Sequence, residues 1–202
     1  MTKILSLFAI ILSMQLFAAD QAPKKLVIIG DSITEGYGLS KEKAYPAVLE
    51  KMIQKNGHNY KVINGGISGS TTSSAMSRLT WFLRSKPDMI ILALGANDGL
   101  RGIKVDVSKA NLEKFIEKCQ QEKVKVVIAG MQVPPNYGEE YGKAFRQMYK
   151  DIISKYKIPS IPFLIEGVAG KAELNIEDGI HPNEKGHEIV AQNVYKHIKE
   201  LL

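Results

Sequence analysis

Five short apolar runs rich in β-branched residues recur along this chain, at 26–29, 60–63, 89–94, 124–129 and 160–163. Most of their length is continuously apolar, interrupted only by Lys61, Lys125 and Ser160 rather than alternating throughout. That pattern belongs to strands buried on both faces of a parallel sheet, whereas a half-exposed strand alternates. Between the runs, apolar residues recur at helical spacing. One stripe is Ala44, Tyr45, Val48, Leu49, Met52 and Ile53, a second Leu112, Phe115, Ile116 and Cys119, and a third Ala144, Phe145, Met148, Tyr149 and Ile152. Residues 71–86 read as a helix that stops before Pro87, because the residue ahead of a proline disfavours the α region. A last helix is expected to start at Asn183, a good N-cap, and to turn Ile189, Val190, Val194, Ile198 and Leu201 inward. Strand alternating with helix specifies a doubly wound α/β domain.

The 202 residues suit one domain at 20–202, preceded by a segment different in kind. Lys3 opens an apolar run to Phe17, followed by small Ala18 and Ala19 and then polar Asp20, which reads as a secretory signal peptide over 1–19. A membrane anchor is the competing reading of the same run. The expected mature protein is periplasmic or secreted, has no stable membrane anchor and is a monomer. The formal charge of +6 includes Lys3, so its removal leaves +6 − 1 = +5. The lysines are interspersed with acidic residues, as in Lys41-Glu42-Lys43, so no basic stripe offers a nucleic-acid face. Cys119 is the only cysteine, which rules out an intramolecular disulfide. Its stripe marks it as a core residue rather than a catalytic thiol.

Ligands of open parallel sheets bind beyond the carboxyl ends of the strands. The loops there are Gly30-Asp31-Ser32, then Asn64 to Thr71 with three glycines, then Gly95-Ala96-Asn97-Asp98-Gly99, and later Asp178-Gly179-Ile180-His181-Pro182. Taken singly, each has a bland reading. Gly-Asp-Ser can be a capped turn, the glycines a phosphate cradle without a Walker spacing, Asn-Asp-Gly a turn, and Asp-x-x-His half of a metal site. Together they hold the parts of nucleophilic catalysis. Ser32 needs a base, His181 can act as one, and Asp178 can fix the His181 tautomer. The Ser32 N–H, Gly69 and the Asn97 amide are candidate oxyanion donors. Asp31, Leu100, Arg101, Pro134, Tyr137 and Ile180 are candidate substrate-binding residues. His58, His187 and His197 lack a carboxylate at matching spacing and are expected at the surface.

The ordered set Ser32, Gly69, Asn97, His181, with Asp178 completing Asp-x-x-His, resembles the four blocks of the GDSL or SGNH hydrolase superfamily. Residues 95–102, 134–138 and 178–183 are similar to those of the bacterial thioesterase I / protease I / lysophospholipase (arylesterase) group. Ser70 stands where members of that group often carry Asp. The resemblance implies a flavodoxin-like, three-layer α/β/α sandwich with a five-stranded parallel sheet, and a mobile loop near Leu100–Ile103. It also implies periplasmic hydrolysis of small-molecule acyl esters, thioesters or lysophospholipids without a metal or cofactor. Deacetylation of envelope carbohydrate is the alternative activity on the same site, and a noncatalytic lipid- or glycan-binding module is the alternative from another class.

Overall fold

In a computed structural model the chain is described over residues 22–202, so the expected signal segment lies outside the described residues. Five parallel strands form one sheet: β1 (Lys24–Gly30), β2 (Tyr60–Gly66), β3 (Met89–Ala93), β4 (Lys125–Ala129) and β5 (Ser160–Ile161). Their order is β2-β1-β3-β4-β5. Leu26 to Ile29 of β1 and Met89 to Ala93 of β3 are completely or almost completely buried, as continuous apolar runs require. β5 is shorter than its apolar run. Pro162 has no N–H to continue the ladder, and the chain turns away with Leu164 N–H donating to the Gly130 carbonyl.

The helices are α1 (Ser32–Glu35), α2 (Tyr45–Lys55), α3 (Ala75–Leu83), α4 (Ala96–Leu100), α5 (Val105–Gln121), α6 (Glu139–Tyr156) and α7 (Glu184–Ile198). Helix α2 packs with α7, while α5 packs with both α3 and α6. Right-handed crossovers explain this split, since reversing the winding direction between β1 and β3 sends the connecting helices to opposite faces. The result is an α/β/α sandwich.

The inward stripes follow the sequence with three corrections. Ala144 is exposed, and Gly142 is the buried residue of that turn, alongside Phe145, Met148 and Tyr149. The 71–86 segment is a 3-10 turn at Thr72–Ser74 followed by α3, which ends three residues before Lys86. His187 is buried at 1% exposure rather than lying at the surface. It shares the inward stripe of α7 with Val190, Ala191 and Val194, and its Nδ1 accepts the Tyr45 N–H at 3.0 Å. Asn183 caps α7 as expected, accepting the Gly186 N–H.

Candidate active site

The crevice of such a sheet opens where the strand order reverses, here between β1 and β3. Ser32 emerges there as the first residue of α1. Asp31 precedes it as N-cap, its Oδ1 accepting the Ile33 N–H at 3.1 Å. Four residues on, left-handed Gly36 ends the helix, and the N–H groups of Gly36 and Tyr37 both donate to the Ser32 carbonyl. The serine is therefore fixed from both sides within a single turn.

His181 arrives on a loop tied at its base. An antiparallel bridge joins Asn175 to Pro182, and the Ile176 N–H donates to the His181 carbonyl at 2.8 Å. Asn175 Nδ2 holds the Val168 and Lys171 carbonyls beneath it. Within the loop, Asp178 Oδ1 accepts the N–H groups of Ile180 and His181, each at 3.0 Å, forming the turn. Its Oδ2 lies 2.7 Å from His181 Nδ1. The opposite ring nitrogen, Nε2, lies 2.8 Å from Ser32 Oγ. Desolvation works to raise the Asp178 carboxyl, but hydrogen bonds from Ile180 and His181 outweigh it and leave it below the usual carboxylate range. Asp178 is thus anionic at neutral pH and faces the N–H side of the imidazole. A chain of hydrogen bonds runs carboxylate, imidazole, hydroxyl across 149 residues of sequence.

The remaining block residues meet at the same rim. Asn97 Nδ2 donates to the Ser70 carbonyl at 3.1 Å, and Arg101 Nη2 to the Gly69 carbonyl at 3.0 Å. Gly69 has φ +74°, a left-handed backbone that suits glycine and directs the turn after Ile67. Helix α4 therefore grips the Gly69–Ser70 loop by two successive carbonyls. Leu100 is half-buried at the end of α4, Ile180 is 51% exposed beside His181, and Pro134 and Tyr137 lie beyond β4, across β3 from Ser32. Asp31 differs from the other candidates. It is 1% exposed, so it supports the Ser32 turn from below and does not face a substrate. Burial pushes its carboxyl up to about 6.

Three residues of this site escaped the sequence reading. Asp98 is buried and accepts the Thr72 N–H, the Thr72 hydroxyl and the Ser108 hydroxyl, at 2.9, 2.5 and 2.9 Å. It locks α4 to the 3-10 turn and to α5, next door to Asn97. Glu35 accepts from both the Ser68 N–H and the Ser68 hydroxyl, joining α1 to the glycine loop. Tyr37 lays its ring on His181, with centroids 4.7 Å apart. For Asp98 a signal existed, a carboxylate inside an otherwise small-residue block at a strand end. Glu35 and Tyr37 carry no periodic signal, since Glu35 ends a helix of a single turn and Tyr37 lies just beyond it.

Among the described residues no group of three or more His, Cys, Asp or Glu is arranged to hold a metal ion. No described helix is long and apolar enough to cross a membrane.

An open α/β/α sheet with Ser32, His181 and Asp178 hydrogen-bonded at its switch point has the layout of a hydrolase, and the family match shows that class. Residues 28–189 match the GDSL-like Lipase/Acylhydrolase family, and the chain belongs to it. It is an ester hydrolase. Over 95% of its length it is 38% identical to the arylesterase of Vibrio mimicus, covering 98% of that protein. It is 31% identical to thioesterase 1/protease 1/lysophospholipase L1 of Escherichia coli strain K12, over 97% of this chain and 91% of that one. The crystal structure of TesA superposes with a TM-score of 0.85 at 36% identity, covering 89% of this chain and all of the other.

Proposed function

We propose that Ser32 is the nucleophile of a two-step acyl transfer to water. His181 Nε2 takes the hydroxyl proton as Oγ attacks the ester or thioester carbonyl, and Asp178 steadies the imidazolium that forms. The oxyanion is held by the Ser32 N–H, which as the first helical residue has no intrahelical acceptor, by Gly69 N–H and by the Asn97 amide. His181 then returns the proton to the leaving alcohol or thiol. Water, deprotonated by His181 in its turn, attacks the acyl-enzyme carbonyl and frees the acid and Ser32. The observation that carries this reading is the unbroken chain Asp178 Oδ2 to His181 Nδ1 at 2.7 Å and His181 Nε2 to Ser32 Oγ at 2.8 Å. The names of the relatives support aryl esters, thioesters and lysophospholipids as substrates. Leu100, Arg101, Pro134, Tyr137 and Ile180 are the residues positioned to border the acyl group. Turnover of p-nitrophenyl esters of increasing chain length tests the reading, with activity expected on medium as well as short chains. Activity confined to acetate would favour deacetylation of envelope carbohydrate instead.

The pattern Lys3, apolar run, Ala18-Ala19 supports export with cleavage after residue 18 or 19, leaving a periplasmic or secreted domain. The intact mass of the exported protein tests the cleavage. Retention of residues 1–19 would contradict it.

A further inference from the structure

The imidazole of His181 is held by two hydrogen bonds, to Asp178 and to Ser32, and the N–H and lone pair of an imidazole point along the plane of its ring. Such bonds fix the in-plane position but resist tilting weakly. The χ2 torsion of histidine is itself broad, so nothing intrinsic sets the tilt. A neighbour packed against the ring can do so, and the Tyr37 ring lies against it, with centroids 4.7 Å apart and planes tilted by 40°. The tyrosine is not a loose surface side chain, although it is half exposed. Its own N–H donates to the Ser32 carbonyl at 3.0 Å. The chain reaches this position because Gly36 adopts φ +87° and packs flat on Ala44, where a Cβ would come within 2.5 Å of the Ala44 Cβ. The Leu39 N–H closes the turn onto the Gly36 carbonyl. One residue thus grips the nucleophile through its backbone and the base through its ring.

We infer that Tyr37 is a positioning residue, a strap that keeps the His181 imidazole coplanar with Ser32 Oγ and Asp178 through each proton transfer. The inference rests on the Ser32–His181–Asp178 reading. The phenol hydroxyl has no part in it, so phenylalanine should serve equally well. The aromatic face also favours the imidazolium formed on attack over neutral imidazole, through its negative quadrupole. A residue that only walled the acyl pocket would act differently, through substrate affinity and in proportion to chain length.

The test compares Tyr37→Ala and Tyr37→Phe with the wild-type chain and with Ser32→Ala, using p-nitrophenyl acetate and p-nitrophenyl octanoate. Folding is checked by circular dichroism and thermal melting. Tyr37→Ala should lower kcat about 10- to 100-fold on both esters alike, the scale of a misplaced catalytic group, with KM little changed. Tyr37→Phe should restore kcat. Phosphonylation of Tyr37→Ala by a small fluorophosphonate, which needs an activated serine but no acyl pocket, should slow by a similar factor. Three results would overturn the inference: a raised KM with kcat intact, a loss that grows with chain length, or failure of Phe to rescue a folded protein. Full activity in Ser32→Ala would instead sink the underlying catalytic reading, so the two failures are distinguishable.

Discussion

Asp31 and His187 are buried ionisable residues, and both feel the charge of His181. Burial raises the Asp31 carboxyl from 3.8 to about 6, so it favours the folded state at low pH and withdraws that support as pH climbs through this window. Burial lowers the His187 imidazole from 6.5 to about 4, so it favours the folded state at high pH and withdraws support as pH falls. Each shift corresponds to about 3 kcal/mol, and the two have opposite signs over nearly the same range. The pair should therefore cancel in the wild-type chain. Asn at position 31 can still cap α1, and with Asp31→Asn stability should rise by about 3 kcal/mol between pH 4 and pH 7 relative to wild type. With His187→Gln it should fall by about the same amount. Urea unfolding at the two pH values checks this, and parallel behaviour of all three proteins would contradict it. Judged only by its lack of a carboxylate partner, His187 reads as a surface residue, whereas it is buried. Its spacing from Val190 and Val194 already placed it on the inward stripe.

Helix α4 has five residues and α1 four, too short for a period of 3.6 to show, so both read from sequence as loops and turns. The longer elements were legible because they repeat their apolar pattern over two turns or more. Their ends were less so. β5 is cut by Pro162, and α3 stops early where Ser85 Oγ donates to the Phe82 carbonyl. What positions α4 is tertiary, the Asp98 carboxylate clasped by Thr72 and Ser108. Replacing Asp98 by Ala strands buried donors on two neighbouring elements, and should cost about 2–4 kcal/mol in urea unfolding. Because α4 carries Asn97 and grips Gly69 and Ser70, kcat should fall in the same variant at temperatures where it remains folded. A variant that lost neither stability nor turnover would show that α4 is held by other contacts.

At the scale of the molecule, the strand order gathers loops 149 residues apart in sequence at one rim, and the proposed acyl transfer depends on that gathering. The fold class was readable because continuous apolar strands and right-handed crossovers leave few arrangements. The candidate site was readable as residue types at strand ends, though not as distances or as supporting contacts such as Tyr37 and Glu35. Stability and chemistry are separable here. Ile91, fully buried at the centre of β3, lies away from the rim. Ile91→Ala should cost about 2–5 kcal/mol in urea unfolding, with kcat unchanged in the folded protein. A loss of kcat without loss of stability would contradict that separation. In the proposed mechanism His181, oriented by Asp178, activates Ser32. The direct measurement is peptide mass spectrometry after brief exposure of the folded protein to a fluorophosphonate. One adduct per chain is expected, on the peptide carrying Ser32, formed at least 100-fold more slowly in His181→Ala, on the order of the contribution of a general base. An unlabelled Ser32, or labelling indifferent to His181, would contradict it.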